Sequence, residues 1–147
     1  MRQNPINPTM KTLANIFVIA FLFTSCNTRT NEINTVSISD LNYMEISLID
    51  GKPWHANIET TEGVANMLNL VQDFSGNFKA LHSSLEKEFQ TLFMKCSMTG
   101  EAHNQLHNYL IPMVSIFEDI SKDDKVVSAL AVDKLELHLR GYYLFFE

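Results

Sequence analysis

The chain has little of what marks a disulfide-linked fold, a phosphate-binding loop or a nucleic-acid-binding surface. Its 147 residues include two cysteines and five glycines, and they contain no Cys-x-x-Cys pair, no glycine-rich phosphate loop and no Gly-x-Ser-x-Gly motif. Its 11 basic residues are outnumbered by 17 acidic ones and form no basic stripe. Because an acidic surface repels phosphate backbones, the composition argues against a nucleic-acid partner.

The apolar run near the N-terminus is too short to cross a bilayer as a helix. Residues 13–23 (LANIFVIAFLF) follow Lys11, and residues 1–25 contain no acidic side chain. This length and charge are typical of a signal-peptide core. The sequence then continues Phe-Thr-Ser-Cys, ending at Cys26, and resembles the lipobox of bacterial lipoproteins, in which the cysteine receives the lipid.

This resemblance implies that residues 1–25 are a lipoprotein signal peptide and that Cys26 is the lipidation site, carrying palmitate or a similar acyl chain. The protein is then expected in the cell envelope, where the lipid holds it on a membrane, in the periplasm or at the outer-membrane surface. An uncleaved N-terminal anchor with an incidental cysteine is the alternative. Met10 followed by Lys11 would also open a compact signal peptide, so Met10 is an alternative start to Met1.

The chain that remains, residues 26–147, is long enough for one domain with a hydrophobic core and too short for two. Without Arg2 and Lys11 it keeps nine basic and 17 acidic residues, a net charge of −8. Residues 26–40 (CNTRTNEINTVSISD) are rich in Asn, Thr and Ser, which predicts a flexible tether. Residues 41–147 are predicted to form the domain.

The first part of that domain, residues 41–59, is predicted to be a short hairpin or an extended arm. Asp50-Gly51 is a turn signal between two stretches in which apolar residues alternate. In the second interpretation the arm packs Trp54 on the domain. The alternating residues are Ile46, Leu48, Trp54, Ala56 and Ile58.

Beyond Glu59, apolar residues recur at intervals of three and four, which is the period of amphipathic helices. Caps and turn residues divide this pattern into four segments. The predicted segments are a first helix from Thr60 or Thr61 to Phe74, a second over residues 78–97 closed by Thr99-Gly100, a third with its apolar stripe from His103 to Ile120, and a fourth over residues 127–145.

The fourth segment also has features of a strand, because residues 135–140 (LELHLR) alternate between apolar and polar side chains. Its content of Ala, Leu, Lys and Glu favours a helix. Since the connections between the four segments are short, consecutive helices are expected to run antiparallel to one another. The predicted fold is all-α, an up-down-up-down four-helix bundle with an extended N-terminal arm or short hairpin.

The stretch CSMTGEAHNQLH, residues 96–107, places a cysteine, a methionine and two histidines around one glycine. If helices two and three reverse at Gly100, Cys96 on one core stripe lies opposite His103 on the other. His107 is one turn further along the same side of its helix. The three side chains are therefore predicted metal ligands.

Two further residues are predicted to reach the same end of the bundle. Met98 lies in the turn itself, and His138 comes from the antiparallel fourth helix. A thiolate, a thioether and imidazoles are soft ligands, which favour Cu(I) first and Zn second. Haem is a weaker expectation and would be non-covalent, since the chain has no Cys-x-x-Cys-His motif.

Each of these side chains also has an ordinary structural interpretation. A cysteine without a partner is often a small buried apolar residue, and methionines at helical spacing often fill cores. A histidine near a helix start can simply bond a carboxylate such as Glu101. Cys96 and His103 as nucleophile and base would lack an evident oxyanion hole, so no enzymatic activity is expected.

The segment FMKCSMTGEAHNQLH, residues 93–107, follows a Lys-Pro-Trp at residues 52–54 and a Glu-Thr-Thr-Glu-Gly at residues 59–63. Together they resemble a group of small uncharacterised lipoproteins of Bacteroidetes-type bacteria, with the motif CxMxGxAHxxLH, over residues 52–147. The group implies no biochemical activity. At the level of fold, the arrangement is similar to periplasmic four-helix bundles such as the cytochrome c-prime and metal-sensor folds.

The sequence thus predicts a lipid-anchored envelope protein that binds a soft transition metal, with copper favoured, for sequestration or sensing. The alternative is a non-enzymatic structural or protein-interaction lipoprotein without a metal site.

Overall fold

The structure is a computed structural model, and it describes residues 46–147. The signal peptide, the lipidation site Cys26 and the tether predicted above lie outside the described residues.

Four α-helices make up most of this part of the chain. They are α1 (Ile58–Gln72), α2 (Phe78–Lys95), α3 (Gly100–Ile120) and α4 (Lys125–Arg140), and a short 3₁₀ turn (Gly141–Leu144) follows. Within residues 46–147 the only β pairing consists of two isolated bridges. The predicted all-α, four-helix fold is confirmed, while the up-down-up-down order of the helix directions stays a prediction.

Polar side chains cap two of the helices where the sequence turns. The carboxamide oxygen of Asn77 accepts a hydrogen bond from the Ala80 N–H at 3.1 Å and opens α2. Asp124 does the same for the N–H groups of Val126 and Val127 at the start of α4. Each cap satisfies backbone donors that a helix start leaves unpaired, which is why the helices begin at these points.

The fourth segment is a helix, and the strand alternative is wrong for it. Its buried side chains include Ala131, Leu135, His138 and Leu139, which recur at helical spacing rather than at every second position. The helix ends at Arg140, and the last apolar residues continue in the 3₁₀ turn.

Every helix packs against two others, and the neighbouring pairs are α1 with α2, α2 with α3, α3 with α4 and α4 with α1. The helices α2 and α3 are the least closely packed of these pairs. The core lies between the four helices and contains apolar residues from all of them together with Phe146. Its largest fully buried side chains include Tyr109, Tyr142, Phe146, Met67, Leu85 and Leu92.

The segment before α1 combines the two predicted forms. Asp50 and Gly51 both have positive φ angles, of 51° and 76°, and Ile49 pairs with Lys52 across them as in a tight hairpin turn. Further on, Trp54 packs against the core, and its backbone pairs with the last residues of the chain. The N–H of Trp54 donates to the Phe145 carbonyl at 2.7 Å.

Within the described residues 46–147, none of the helices combines the length and the apolar content needed to cross a membrane.

Candidate metal centre

The candidate site lies at the connection between α2 and α3. The helix α2 ends at Lys95 because Cys96 turns to an extended conformation, with ψ 120°, although its N–H still bonds the Leu92 carbonyl at 2.9 Å. Four residues later Gly100 opens α3 with a φ of +63°. Side chains other than glycine are strained at such an angle, so Gly100 permits the sharp entry into α3.

This reversal brings Cys96 and His103 together. The Sγ atom of Cys96 lies 3.7 Å from the Nδ1 atom of His103, within hydrogen-bonding reach for sulfur. Both side chains are half-buried, and Cys96 packs against the edge of the core. The contact joins the residue after the end of α2 to the first turn of α3, as chain reversal at Gly100 predicts.

His103 and His107 also meet, one helical turn apart. Their Nε2 atoms are 3.0 Å apart, and their rings approach edge to face with centroids separated by 4.5 Å. The ring of His107 in turn packs edge to face on Phe93 of α2, at 5.7 Å. The i, i+4 spacing thus produces a contact between the two imidazoles.

The orientation of the His103 ring decides what this cluster can bind. Its Nδ1 atom faces Cys96, whereas its Nε2 atom faces His107, and the two nitrogens of an imidazole point away from one another. One ion cannot bond both nitrogens of the same ring. Consistently, among residues 46–147 no group of three or more His, Cys, Asp and Glu side chains is placed to hold a metal ion.

The three side chains form a consistent relay of hydrogen bonds in their neutral forms. When His103 carries its proton on Nε2, that N–H donates to the Nε2 atom of His107, and the bare Nδ1 accepts from the Cys96 thiol. Each ring nitrogen then has one defined role. The arrangement places two atoms that can bond a metal ion side by side, the Cys96 sulfur and the His103 Nδ1 atom. The second histidine, His107, orients the first through its hydrogen bond.

A half-buried pair of hydroxyl groups near Cys96, those of Tyr142 and Thr61, was not predicted as part of the site. The Tyr142 hydroxyl lies 3.1 Å from the Thr61 hydroxyl. Burial raises the pKa of Tyr142 to about 12, the hydrogen bond with Thr61 acts in the opposite direction, and Tyr143 and Cys96 add smaller raising contributions. Tyr142 is therefore a neutral phenol at physiological pH. Tyr142 lies on the apolar stripe of the fourth predicted segment, so its burial was predictable from the sequence. Its contact with Thr61 was not.

Met98 takes a packing position. It is half-buried, lies between α2 and α3 and contacts the edge of the hydrophobic core. Its thioether belongs to the same connection, two residues after Cys96, and its role as a ligand stays a prediction.

His138 is engaged deep in the core. Its Nε2–H donates to the Tyr109 carbonyl at 2.9 Å, and the Tyr109 hydroxyl donates back to the His138 carbonyl at 3.0 Å. The two rings stack with centroids 4.4 Å apart. Burial lowers the pKa of His138 to about 4, so the ring is neutral near pH 7. The structure thus commits its Nε2 atom to Tyr109, and His138 does not join Cys96 and His103 in a three-residue group.

Glu101 bonds two amide side chains of its own helix. Its carboxylate accepts from Gln105 at 2.7 Å and from Asn104 at 3.2 Å, and these two bonds, in that order, lower its pKa. Gln105 also accepts the backbone N–H of Ser47, at 2.8 Å, and so ties the N-terminal arm to α3. Glu101 is thus part of the attachment of the arm.

No family model, no curated protein and no solved structure matches this chain. Its function therefore has to be inferred from its own residues.

Proposed function

We propose that this chain is a lipid-anchored envelope protein that binds a soft metal ion, monovalent copper foremost, between the Sγ atom of Cys96 and the Nδ1 atom of His103. The observation that carries the proposal is the 3.7 Å separation of these two donor atoms. Thiolate and imidazole are the side-chain donors that copper and zinc favour. The predicted lipid on Cys26 would hold the site at a membrane, where it would sequester or sense the ion.

The donor separation is suited to an ion that bonds both atoms. Typical metal bonds are about 2.3 Å to thiolate sulfur and about 2.0 Å to imidazole nitrogen. With donors 3.7 Å apart, these lengths give an angle of about 120° at the ion. This is the angle of a three-coordinate site, so the pair needs little rearrangement on binding and leaves one position for a third ligand.

Met98 is our candidate for that third ligand. It lies two residues beyond Cys96, in the same connection, and its thioether has the softness that Cu(I) prefers. A site of thiolate, imidazole and thioether would discriminate against hard ions such as Mg²⁺ and Ca²⁺. Zinc is the second choice, and non-covalent haem is the least favoured.

His107 acts through His103 in this proposal. Histidines that bind metals usually donate their second ring N–H to an acceptor, which fixes the tautomer and the orientation of the ring. The Nε2 atom of His107 is such an acceptor, 3.0 Å from the Nε2 atom of His103. His138 has no part in the proposed site, since within residues 46–147 it forms no group with Cys96 and His103 that could hold one ion.

The test is a Cu(I) titration of the full-length protein, purified in detergent under reducing conditions, against a colorimetric Cu(I) chelator. We expect one ion per chain. Replacing either ligand, as in Cys96→Ser or His103→Ala, should weaken binding at least about a hundredfold, because each removes one of the strong donors. Met98→Leu should weaken it less.

The matched control is His55→Ala. The His55 side chain is exposed and lies near Glu147, on the arm, so its loss should leave the affinity unchanged. If Cys96→Ser and His103→Ala bind Cu(I) as tightly as the wild-type chain, the proposal is wrong. X-ray absorption at the copper edge should show sulfur and nitrogen neighbours in the wild-type protein.

The competing function is a structural or protein-interaction lipoprotein without a metal site. It is favoured by the packing of Cys96 and Met98 against the core. Under this function, purified protein would bind no copper in competition with the chelator, and Cys96→Ala would change only the stability. The same titration therefore decides between the two.

A further inference from the structure

A cleft lies between α2 and α3, the least closely packed of the neighbouring helix pairs. It has a volume of about 240 Å³ and is open to solvent. We call it the α2–α3 groove. Its lining residues are His82, Glu86, Phe89, Gln90, Val114, Phe117 and Glu118.

The groove continues along both helices as an exposed apolar surface. On α3, Ile111 is 63% exposed and Val114 is 50% exposed, and the two lie one turn apart on the same side of the helix. On α2, Phe93 is 42% exposed, one turn beyond Phe89. The rings of Phe89 and Phe117, with centroids 5.3 Å apart, contact one another across the two helices and form the base of the groove.

Its length suits a short helix. From His82 to Phe93 the helix α2 advances eleven residues, which is about 16 Å at 1.5 Å per residue. This corresponds to three turns of a helix laid along the groove. Partner helices bind such grooves with apolar residues at positions i, i+4 and i+7.

The charges at one end of the groove are negative. The carboxylates of Glu86 and Glu118 line that end, while no lysine or arginine is among the lining residues. His82 lies 3.6 Å from Glu86 but carries charge only when protonated. An anionic partner would therefore be repelled, whereas lysine or arginine side chains would be attracted.

We propose that the α2–α3 groove docks an amphipathic helix of another protein, one that carries lysine or arginine beside its apolar stripe. The exposed apolar residues provide the area to be buried, and Glu86 and Glu118 select the sign of the partner's charge. This surface does not depend on the proposed metal site, although its far end meets the ring of His107 through Phe93.

The test uses a fluorescein-labelled helical peptide of about 15 residues, with leucines at i, i+4, i+7 and i+11 and lysines beside them, and a matched peptide with glutamates in place of the lysines. Binding to the full-length protein is followed by fluorescence anisotropy. We expect the lysine peptide to bind at least about tenfold more tightly than the glutamate peptide and to weaken in about 0.5 M salt.

Two variants locate the binding. The double substitution Glu86→Lys with Glu118→Lys should reverse the preference between the peptides. Ile111→Ser with Val114→Ser should weaken the lysine peptide at least about tenfold, since these side chains would be buried under it. The matched control is Val126→Ser, because Val126 is exposed on α4 and is not among the residues that line the groove. Circular dichroism of each variant checks that it is folded.

Three results would overturn the proposal. One is equal binding of the two peptides, and another is a charge reversal that leaves the preference unchanged. The third is a concentration-dependent dimer in sedimentation experiments that Val114→Ser abolishes, which would assign the groove to a second copy of this chain.

Discussion

The Nε2 atoms of His103 and His107 lie 3.0 Å apart, so each imidazole occupies one position in a relay that ends at the Cys96 thiol. This contact places His107 behind His103, on the side away from the sulfur. His103 is therefore the residue that would bond an ion, and His107 is the residue that would orient the His103 ring.

We expect His107→Phe to weaken Cu(I) binding by about ten- to hundredfold without changing the stoichiometry, since losses of this size follow removal of a partner that orients a ligand. Phenylalanine keeps an aromatic ring against Phe93 but accepts no hydrogen bond. Its cost to stability in urea unfolding should be about 1 kcal/mol, the value of one hydrogen bond.

The control for that substitution is His107→Gln, whose side-chain oxygen can still accept from the His103 Nε2–H. It should keep more of the affinity than His107→Phe in the same chelator competition. If the two variants bind Cu(I) equally well, His107 does not act through a hydrogen bond.

The buried His138 makes stability depend on pH. Its pKa is about 4 in the folded chain and about 6.5 in the unfolded chain, and burial is the main cause of the difference. As the pH falls below 6.5, His138 becomes protonated in the unfolded chain, whereas in the folded chain it becomes protonated only near pH 4. The contribution of His138 is therefore fully present above pH 6.5 and is lost between pH 6.5 and pH 4, by about 3 kcal/mol.

This loss of stability is measured by urea unfolding at intervals of about half a pH unit between pH 6.5 and pH 4. In His138→Gln the amide N–H can still donate to the Tyr109 carbonyl, but the side chain does not titrate. The variant should lose clearly less stability than the wild-type chain over the same window. An equal loss in both proteins would show that other groups cause the pH dependence.

The contrast between His103 and His138 shows how far the sequence predicts the site. Helical periodicity places both on core-facing stripes, and the short turn at Gly100 brings His103 level with Cys96, because chain reversal fixes the pairing of two adjacent helices. The direction of each ring depends on tertiary neighbours that spacing does not encode. His138 meets the Tyr109 carbonyl, and His103 presents opposite nitrogens to its two partners.

The fold itself was more accessible from the sequence for a similar reason. Burial enforces a repeat of three to four residues over whole helices, so a long stripe outweighs a local alternation such as that of residues 135–140. Helix ends depend on single residues. The second helix stops at Lys95, two residues before its predicted end, because Cys96 has an extended backbone.

Gly100 allows a direct test of the turn that brings Cys96 to His103. Its φ of +63° favours glycine, and open space surrounds the position of a Cβ atom, so a substitution acts through the backbone alone. We expect Gly100→Val to cost about 1–2 kcal/mol in urea unfolding. Gly100→Asn should cost less, because asparagine tolerates this conformation best among the other residues. Equal costs for the two substitutions would mean that the turn has changed its conformation.

The close approach of α1 and α2 depends on Gly63. A Cβ atom at this position would lie 3.1 Å from the Cβ atom of Leu92, which is nearly fully buried and cannot withdraw. Gly63→Ala gains up to about 1 kcal/mol of helix propensity, but overpacking costs about 1–3 kcal/mol. We therefore expect a net loss of stability.

A double-mutant cycle isolates that contact. Leu92→Ala alone should cost about 2–5 kcal/mol because it leaves a cavity. In the presence of Leu92→Ala, the added methyl of Gly63→Ala fills part of the cavity, so the double variant should be more stable than the sum of the single effects predicts by at least about 0.5 kcal/mol. Additive effects would place the two residues out of contact.

The predicted lipid on Cys26 can be tested by itself, independently of the metal site. An apolar run of eleven residues is too short to span a bilayer, so membrane attachment of the mature chain should depend on acylation. We expect Cys26→Ser to stop incorporation of a labelled palmitate analogue and to shift the protein from the membrane to the soluble fraction after cell disruption. Cys96→Ser is the matched control, since it removes the other cysteine and should leave labelling intact. An uncleaved anchor makes the opposite prediction, because Cys26→Ser would then stay in the membrane fraction, and the mass of the purified chain would still include residues 1–25.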